Sequence, residues 1–365
     1  MSGRAATERV RTVGTTEPGD TSFTDILGLL ARRNDLSRQQ AAFALHRIVE
    51  GSAGEAEAAA FLMGLRSKGE TEDEIAGLAD VMRELVVPVK TAQPRTLLDI
   101  VGTGGDGLGT FNISTTAALV VAAVGVKVAK HGNRAASSRC GSADVLEALE
   151  VHTDLGPEEV ADCIETVGIG FMFAPLFHSS MMRVGQVRKS LGIRTVFNFL
   201  GPLTNPAGAG HMLVGVGAED YLEVLAGALA RTGCERALLV RGQDGMDELS
   251  VTGPSAAIEV RDGRVAERMV VDPRDHGLSL HPLSALAGGD AVENAGICRS
   301  VLAGSEGAPR DAVLLNAGAA LYVAGSAPSI AEGVSSARRA IDNGDASRVL
   351  DALVAHTRLL RESRT

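Results

Sequence analysis

Apolar residues recur at helical spacing from Phe23 to about Val87. Examples are Phe61, Leu62 and Leu65, then Ile75, Leu78, Ala79 and Met82. Ser37 with Gln40, and Thr71 with Glu74, fit the capping box that satisfies free amides at a helix start. The pattern predicts about four helices, ended by Pro88 and Pro94. It then changes period. Thr96 to Val101 reads as a short apolar strand, Asn112 to Gly125 as a helix, and Val126 to Lys130 as a second strand. This is a βαβ unit, the mark of a parallel sheet. Further strands are expected at Gly170 to Phe173, Met212 to Val216 and Ala237 to Arg241, with a helix at Asp220 to Arg231. Asp262-Gly263 reads as the turn of a hairpin between 256–261 and 264–271. Pro282 to Arg361 is nearly all helical in pattern, and residues 1–21 are polar and patternless, read as a flexible tail.

The fold class that follows is α/β. A small all-helical N-terminal domain precedes a larger α/β domain whose mostly parallel central sheet is flanked by helices. The expected division is a tail at 1–21 and a helical domain at 22–93, joined by helices from about 176–200. The α/β domain takes 94–175 and 201–365.

Composition narrows the function. The formal charge is −10, from 45 acidic and 35 basic residues, with two tyrosines and no tryptophan. A nucleic-acid binder needs a basic face and stacking rings, so that class is disfavoured. The four cysteines, Cys140, Cys163, Cys234 and Cys298, form no CxxC pair, as in a reduced cytoplasmic protein. The longest strongly apolar run, Ala117 to Val126, is too short for a bilayer. Glycine is abundant, 43 of 365 residues, against a usual share of about 7%.

Part of that glycine lies in Gly102-Thr103-Gly104-Gly105-Asp106-Gly107-Leu108-Gly109, between the first strand and its helix. Backbone amides there can approach an anion closely, and the helix start adds partial positive charge. Gly102, Gly104 and Gly107 satisfy G-x-G-x-x-G, but Lys127 and Lys130 stand where a dinucleotide fold wants an acidic residue. A Walker A loop needs Gly-Lys-Ser/Thr, which is missing. The second strand ends in Lys130, His131, Gly132, Asn133, Arg134, Ala135, Ala136, Ser137 and Ser138, with Ser142 beyond. Parallel neighbours present these ends on one edge, so a second anion clamp with three potential cations lies beside the first. Asp247 and Glu248, after a later strand, suit magnesium, which takes one or two carboxylates and shares its other positions with water and phosphate.

In combination, GTGGDG at 102–107, NIST at 112–115, KHGNRAASS at 130–138 and GSADVLEAL at 141–149 resemble the anthranilate phosphoribosyltransferase family. FAPLFH at 173–178, VRKSLGIRTVFNFLGPLTNPA at 187–207, DGMDELSVTGP at 244–254 and RDAVLLNAGAALYVAG at 310–325 continue the resemblance. It implies transfer of a phosphoribosyl group from 5-phosphoribosyl 1-diphosphate (PRPP) to anthranilate, the second step from chorismate to tryptophan. It assigns Gly102, Gly105, Asp106, Thr110, Asn112, Ile113, Ser114, Thr115, the segment Lys130 to Ser138, and Ser142 to PRPP. Gly102, Asn133, His178 and Arg188 fall to anthranilate. Ser114, Asp247 and Glu248 fall to magnesium, two ions per subunit. No acid or base is assigned; Lys130, Asn133 and Arg188 act by charge and position. The resemblance also implies a homodimer through the helical domain. Two readings compete with it: a pyrimidine nucleoside phosphorylase, and a non-enzymatic nucleic-acid-binding relative. The chain departs from the family pattern at Ser179, Met182, Arg183 and Gln186, near the anthranilate entrance, and at Glu150, where glycine is usual.

Overall fold

The computed structural model describes residues 22–135 and 139–364; the tail expected at 1–21, and Ala136, Ser137 and Ser138, lie outside the described residues. The described residues open with four helices: α1 (Phe23–Ala31), α2 (Arg38–Glu50), α3 (Glu55–Lys68) and α4 (Glu72–Leu85). Both expected capping boxes form, Ser37 receiving the Gln40 amide and Thr71 the Glu74 amide.

Then follow β1 (Leu98–Gly102), α5 (Ile113–Ala123), β2 (Val128–Gly132), α6 (Ser142–Ala148), α7 (Pro157–Thr166), β3 (Ile169–Phe173), α8 (Ala174–Phe177), α9 (Met182–Leu191) and α10 (Phe197–Leu203). The chain continues through β4 (His211–Gly215), α11 (Leu222–Arg231), β5 (Arg236–Gly242), β6 (Ser255–Arg261), β7 (Arg264–Val265) and β8 (Met269–Val271). It ends with α12 (Ala291–Leu302), α13 (Ala308–Val323), α14 (Ile330–Asp342) and α15 (Asp345–Glu362).

The sheet runs β3-β2-β1-β4-β5-β6-β7, with β8 also on β6. Its first five strands are parallel and β6 is antiparallel to β5. Strand order reverses at β1, where chain direction across the sheet switches to β4. Ligands of open parallel sheets bind at such a switch point, beyond the C-terminal strand ends. The glycine loop starts there.

The sheet has two buried faces. Side chains alternate along the strands, so Leu213, Leu238 and Val240 meet α5 and α12–α15 on one side. Met212, Val214, Ala237, Leu239, Ile258 and Val260 face the other side. They share a core with α1–α4, α9, α10 and α11. The helices after His178 therefore pack with the N-terminal ones.

Three expected elements shift. The first strand begins two residues later than patterned, after a turn at Pro94–Thr96, and ends one later; the second begins and ends two later, because Gly125 turns the chain at φ +97°, and each strand runs on into a glycine. The hairpin turns at Asp262 and Gly263, both with positive φ, but its second strand is broken. The register on β6 slips by one residue between β7 and β8, a bulge that a period-two pattern does not reveal.

Glu150 holds φ +71°, the left-handed region. Glycine reaches it without strain, while a side chain pays about 1 kcal/mol. Its carboxylate gains an exposed ion pair with Arg358 at 3.3 Å, which returns little. Glu150→Gly is therefore expected to raise stability by about 0.5–1 kcal/mol, read as a higher thermal midpoint.

Among the described residues, no helix is long and apolar enough to cross a membrane. The four cysteines are buried and form no disulfide.

Candidate active site

A cavity of about 350 Å³ opens at the switch point. Its wall takes residues from the glycine loop, the start of α5, the end of β2 and the start of α6. Asp247 and Glu248 come from beyond β5, Arg194 from the α9–α10 connection and Asn198 from the first turn of α10. Of the sequence-assigned PRPP residues, Gly102, Gly105, Asp106, Thr110, Asn112, Ile113, Ser114, Thr115, Lys130, His131, Gly132, Asn133, Arg134, Ala135 and Ser142 all line it.

The glycine loop is shaped by backbone demands. Gly104, Gly105, Gly107 and Gly109 all have positive φ. Asp247 accepts the Gly104 amide at 2.7 Å, and a Cβ on Gly102 would overlap that carboxylate. Glu248 accepts the Ser114 amide at 3.1 Å, so the acidic pair is anchored to both ends of the loop.

Asp247 and Glu248 both hold their protons more tightly than usual. Burial is the main cause for each; the next is Asp106 for Asp247, and Asp247 for Glu248. Carboxyls and the Ser114 hydroxyl form a hard oxygen set with too little positive charge around it. That fits a divalent cation. Among the described residues, no group of three or more His, Cys, Asp or Glu side chains is arranged to hold a metal alone. Substrate oxygens and water would have to complete the shell.

Lys130 is almost fully buried. Its Nζ donates to the Ile100 carbonyl at 2.6 Å and faces the Ser114 hydroxyl at 3.4 Å. Burial lowers its pKa, while Asp99 and Glu248 oppose that shift. Asp99 is wholly buried in β1, accepts from the His131 amide and from Asn205 at 2.7 Å, and is pushed up to about 6 by burial.

The expected trio of cations on this loop is corrected by its surroundings. The His131 ring is buried, its Nδ1 lies 3.2 Å from the Gly201 carbonyl, and its pKa falls to about 3. It is neutral at pH 7. The Arg134 guanidinium is engaged by Asp144 and bidentately by Glu147, 2.7 and 2.8 Å away. Lys130 alone of the three points its charge into the acidic cluster.

His178 and Arg188 are not in this cavity's wall. His178 packs its ring 5.1 Å from that of His131 and is lowered to about 4 by burial. Arg188 lies over the Phe197 ring at 5.5 Å and is half-buried. Two neutral buried histidines make stability acid-sensitive. The native rings bind protons more weakly than unfolded ones near 6.5, so stability is full above that pH and falls as the pH drops towards 4. Going from pH 7.5 to 5.5 is expected to cost about 2–3 kcal/mol through this pair. Equilibrium unfolding of the parent and a His131→Asn/His178→Asn variant checks this, the variant showing the shallower loss.

Arg194, Asn198 and Asp99 were not singled out from the sequence. Asp99 could have been, as a carboxylate inside the apolar run TLLDIV. Arg194 stands in the quoted stretch GIRT, just past Gly192, which closes α9 in the left-handed conformation.

An anion loop beside an oxygen-rich acidic pair, at the edge of a sheet backed by a helical bundle, defines a glycosyltransferase of the two-domain type. Two family models agree with that class: the glycosyl transferase family helical bundle domain matches residues 24–86, and the glycosyl transferase family a/b domain matches 94–347. The chain belongs to the anthranilate phosphoribosyltransferase family. It is 51% identical over 331 residues to the anthranilate phosphoribosyltransferase of Dehalococcoides mccartyi, covering 90% of this chain and 96% of that one. The crystal structure of the Thermus thermophilus enzyme superposes with a TM-score of 0.86 at 46% identity, over 92% of this chain and 99% of the other. The Saccharomyces cerevisiae enzyme in complex with PRPP and Mg gives 0.83 at 28% identity, over 93% and 99%.

Proposed function

We propose that this chain transfers the phosphoribosyl group of PRPP to the amine of anthranilate. The products are N-(5-phosphoribosyl)anthranilate and pyrophosphate, in the step towards tryptophan that follows anthranilate synthesis. The observation that carries the reading is the convergence of three separate segments on one cavity: the glycine loop, the β2 end and the Asp247-Glu248 pair. PRPP requires sites for a diphosphate, a sugar phosphate and a metal at once.

In the reaction the amine nitrogen bonds to ribose carbon 1 as the bond to the diphosphate oxygen breaks. Positive charge grows on the sugar and negative charge on the leaving group. The chain's part is placement and electrostatic stabilisation. The loop amides of 102–110 and the donors Asn112, Ser114 and Thr115 bind PRPP. Lys130, Asn133 and Ser142 act from the β2 side; the family resemblance adds Ser137 and Ser138 to the PRPP set. Asp247, Glu248 and Ser114 would hold magnesium, two ions per subunit, which neutralises and orients the diphosphate when bound. The division into a helical unit, 22–93 with 176–200, and an α/β unit, with dimerisation through the former, belongs to the same reading.

Arg188 and His178 stand near the acceptor's route. A guanidinium pairs two N–H groups with a carboxylate, which suits anthranilate. Arg188→Ala is expected to raise the KM for anthranilate about tenfold or more, with the KM for PRPP within twofold. Equal rises for both substrates would count against the assignment.

The direct test incubates the protein with PRPP, magnesium and anthranilate and follows anthranilate fluorescence. Decay that depends on all three components is expected. Persistent fluorescence would overturn the reading.

A further inference from the structure

Arg194 has no role in the scheme above, yet its guanidinium reaches the glycine loop from the opposite layer. It sits in the short connection 192–196 between α9 and α10, elements whose core is shared with the N-terminal helices. Its Nη1 donates to the Gly105 carbonyl at 2.8 Å. Gly105 has φ +75°, and a Cβ there would overlap the guanidinium itself. One reason for a glycine at 105 is therefore the approach of Arg194.

The guanidinium is held by a stack of rings. It lies 5.7 Å from the Phe199 ring, Phe199 stacks on Tyr221 at 4.0 Å with an 18° tilt, and Arg66 lies 5.8 Å from Tyr221. Arg66 also donates to the Tyr221 hydroxyl at 2.8 Å, and that hydroxyl donates to buried Glu70. The ladder joins α3 to the loop through two stacked rings with a guanidinium against each.

We propose that Arg194 is a positioning residue that fixes the glycine loop for the phosphorylated donor. The loop has left-handed residues at 104, 105, 107 and 109, and its backbone is held near its ends, where the Thr103 amide donates to the Gly215 carbonyl at 2.8 Å and the Gly288 amide to the Gly109 carbonyl at 2.9 Å. It is pinned at two adjacent points, the Gly104 amide by Asp247 and the Gly105 carbonyl by Arg194. A peptide unit is planar and trans, so the direction of the Gly105 carbonyl sets the opposite direction of the Asp106 amide. Arg194 thereby aims a loop amide, and through it sets donor affinity rather than acceptor affinity.

The inference rests on the glycine loop being the PRPP site. The experiment is steady-state kinetics on the full chain with magnesium, varying each substrate in turn, for the parent, Arg194→Ala, Arg194→Lys and Gly105→Ala. Arg194→Ala is expected to raise the KM for PRPP about ten- to a hundredfold, with the KM for anthranilate within twofold. Arg194→Lys recovers part of the loss, since an ammonium can donate to the same carbonyl. Gly105→Ala displaces the guanidinium and shifts the same KM, and combining it with Arg194→Ala adds little further, because both break one contact. Should Arg194→Ala not fold, Arg194→Lys carries the test through a smaller rise in the same KM. A rise confined to the anthranilate KM, or no change in either, overturns the inference while the parent's activity keeps the site reading intact. A parent that consumes no anthranilate overturns the site reading instead.

Discussion

Asp247→Asn combined with Glu248→Gln is expected to lower kcat/KM by about 10²–10³-fold and to abolish the response to added magnesium. The same variant should be at least as stable as the parent in metal-free buffer. Both expectations come from one arrangement. The two carboxyls are buried beside each other and beside Asp106, and burial and mutual repulsion resist their charge. Amides of the same shape still accept the Gly104 and Ser114 amides but carry no repulsion. A purely structural pair would behave oppositely: removing its charge would lower the melting temperature and leave magnesium dependence as it was. Thermal melting in chelator and a magnesium titration of initial rates separate the two.

Lys130→Met is expected to destabilise the fold by about 3–5 kcal/mol, the cost of leaving buried charges without their partner. Asp99 and Glu248 both face the Lys130 ammonium, and the Ile100 carbonyl loses its donor. The change also removes the one cation of its loop that points into the acidic cluster. Adding Asp99→Asn to Lys130→Met should recover part of the loss, because the stranded charge is then gone. Denaturant unfolding of the two single variants and the double variant gives the coupling directly. Additive losses would mean that Asp99 and Lys130 do not act as a pair.

The glycine loop could be read in the sequence because sterics announce it: four residues with positive φ need glycine wherever the rest of the chain goes. The edge shared by the loops after β1 and β2 follows from parallel pairing, which the βαβ pattern already implies. Charge was less legible. His131 reads as a cation until its ring is placed against His178 and the Gly201 carbonyl. Arg134 reads as a free phosphate ligand until the fold brings Glu147 to it, across a loop whose path no local signal dictates. Arg194 is harder still. Its partner is a backbone carbonyl 89 positions away, and a carbonyl leaves no mark in a sequence. Burial and long-range pairing decide protonation and availability, and both belong to the assembled fold.

One core ties the first four helices to strands β4, β5 and β6. During synthesis α4 is complete at Leu85, while the last strand residue of that core is Val260. At ribosomal rates the interval is roughly ten to thirty-five seconds. For that time the helical segment has part of its apolar surface without its sheet, open to chaperones or to a neighbouring nascent chain. The order of residues along the chain thus has these four helices made well before the strands they pack on and among the last elements to be sealed.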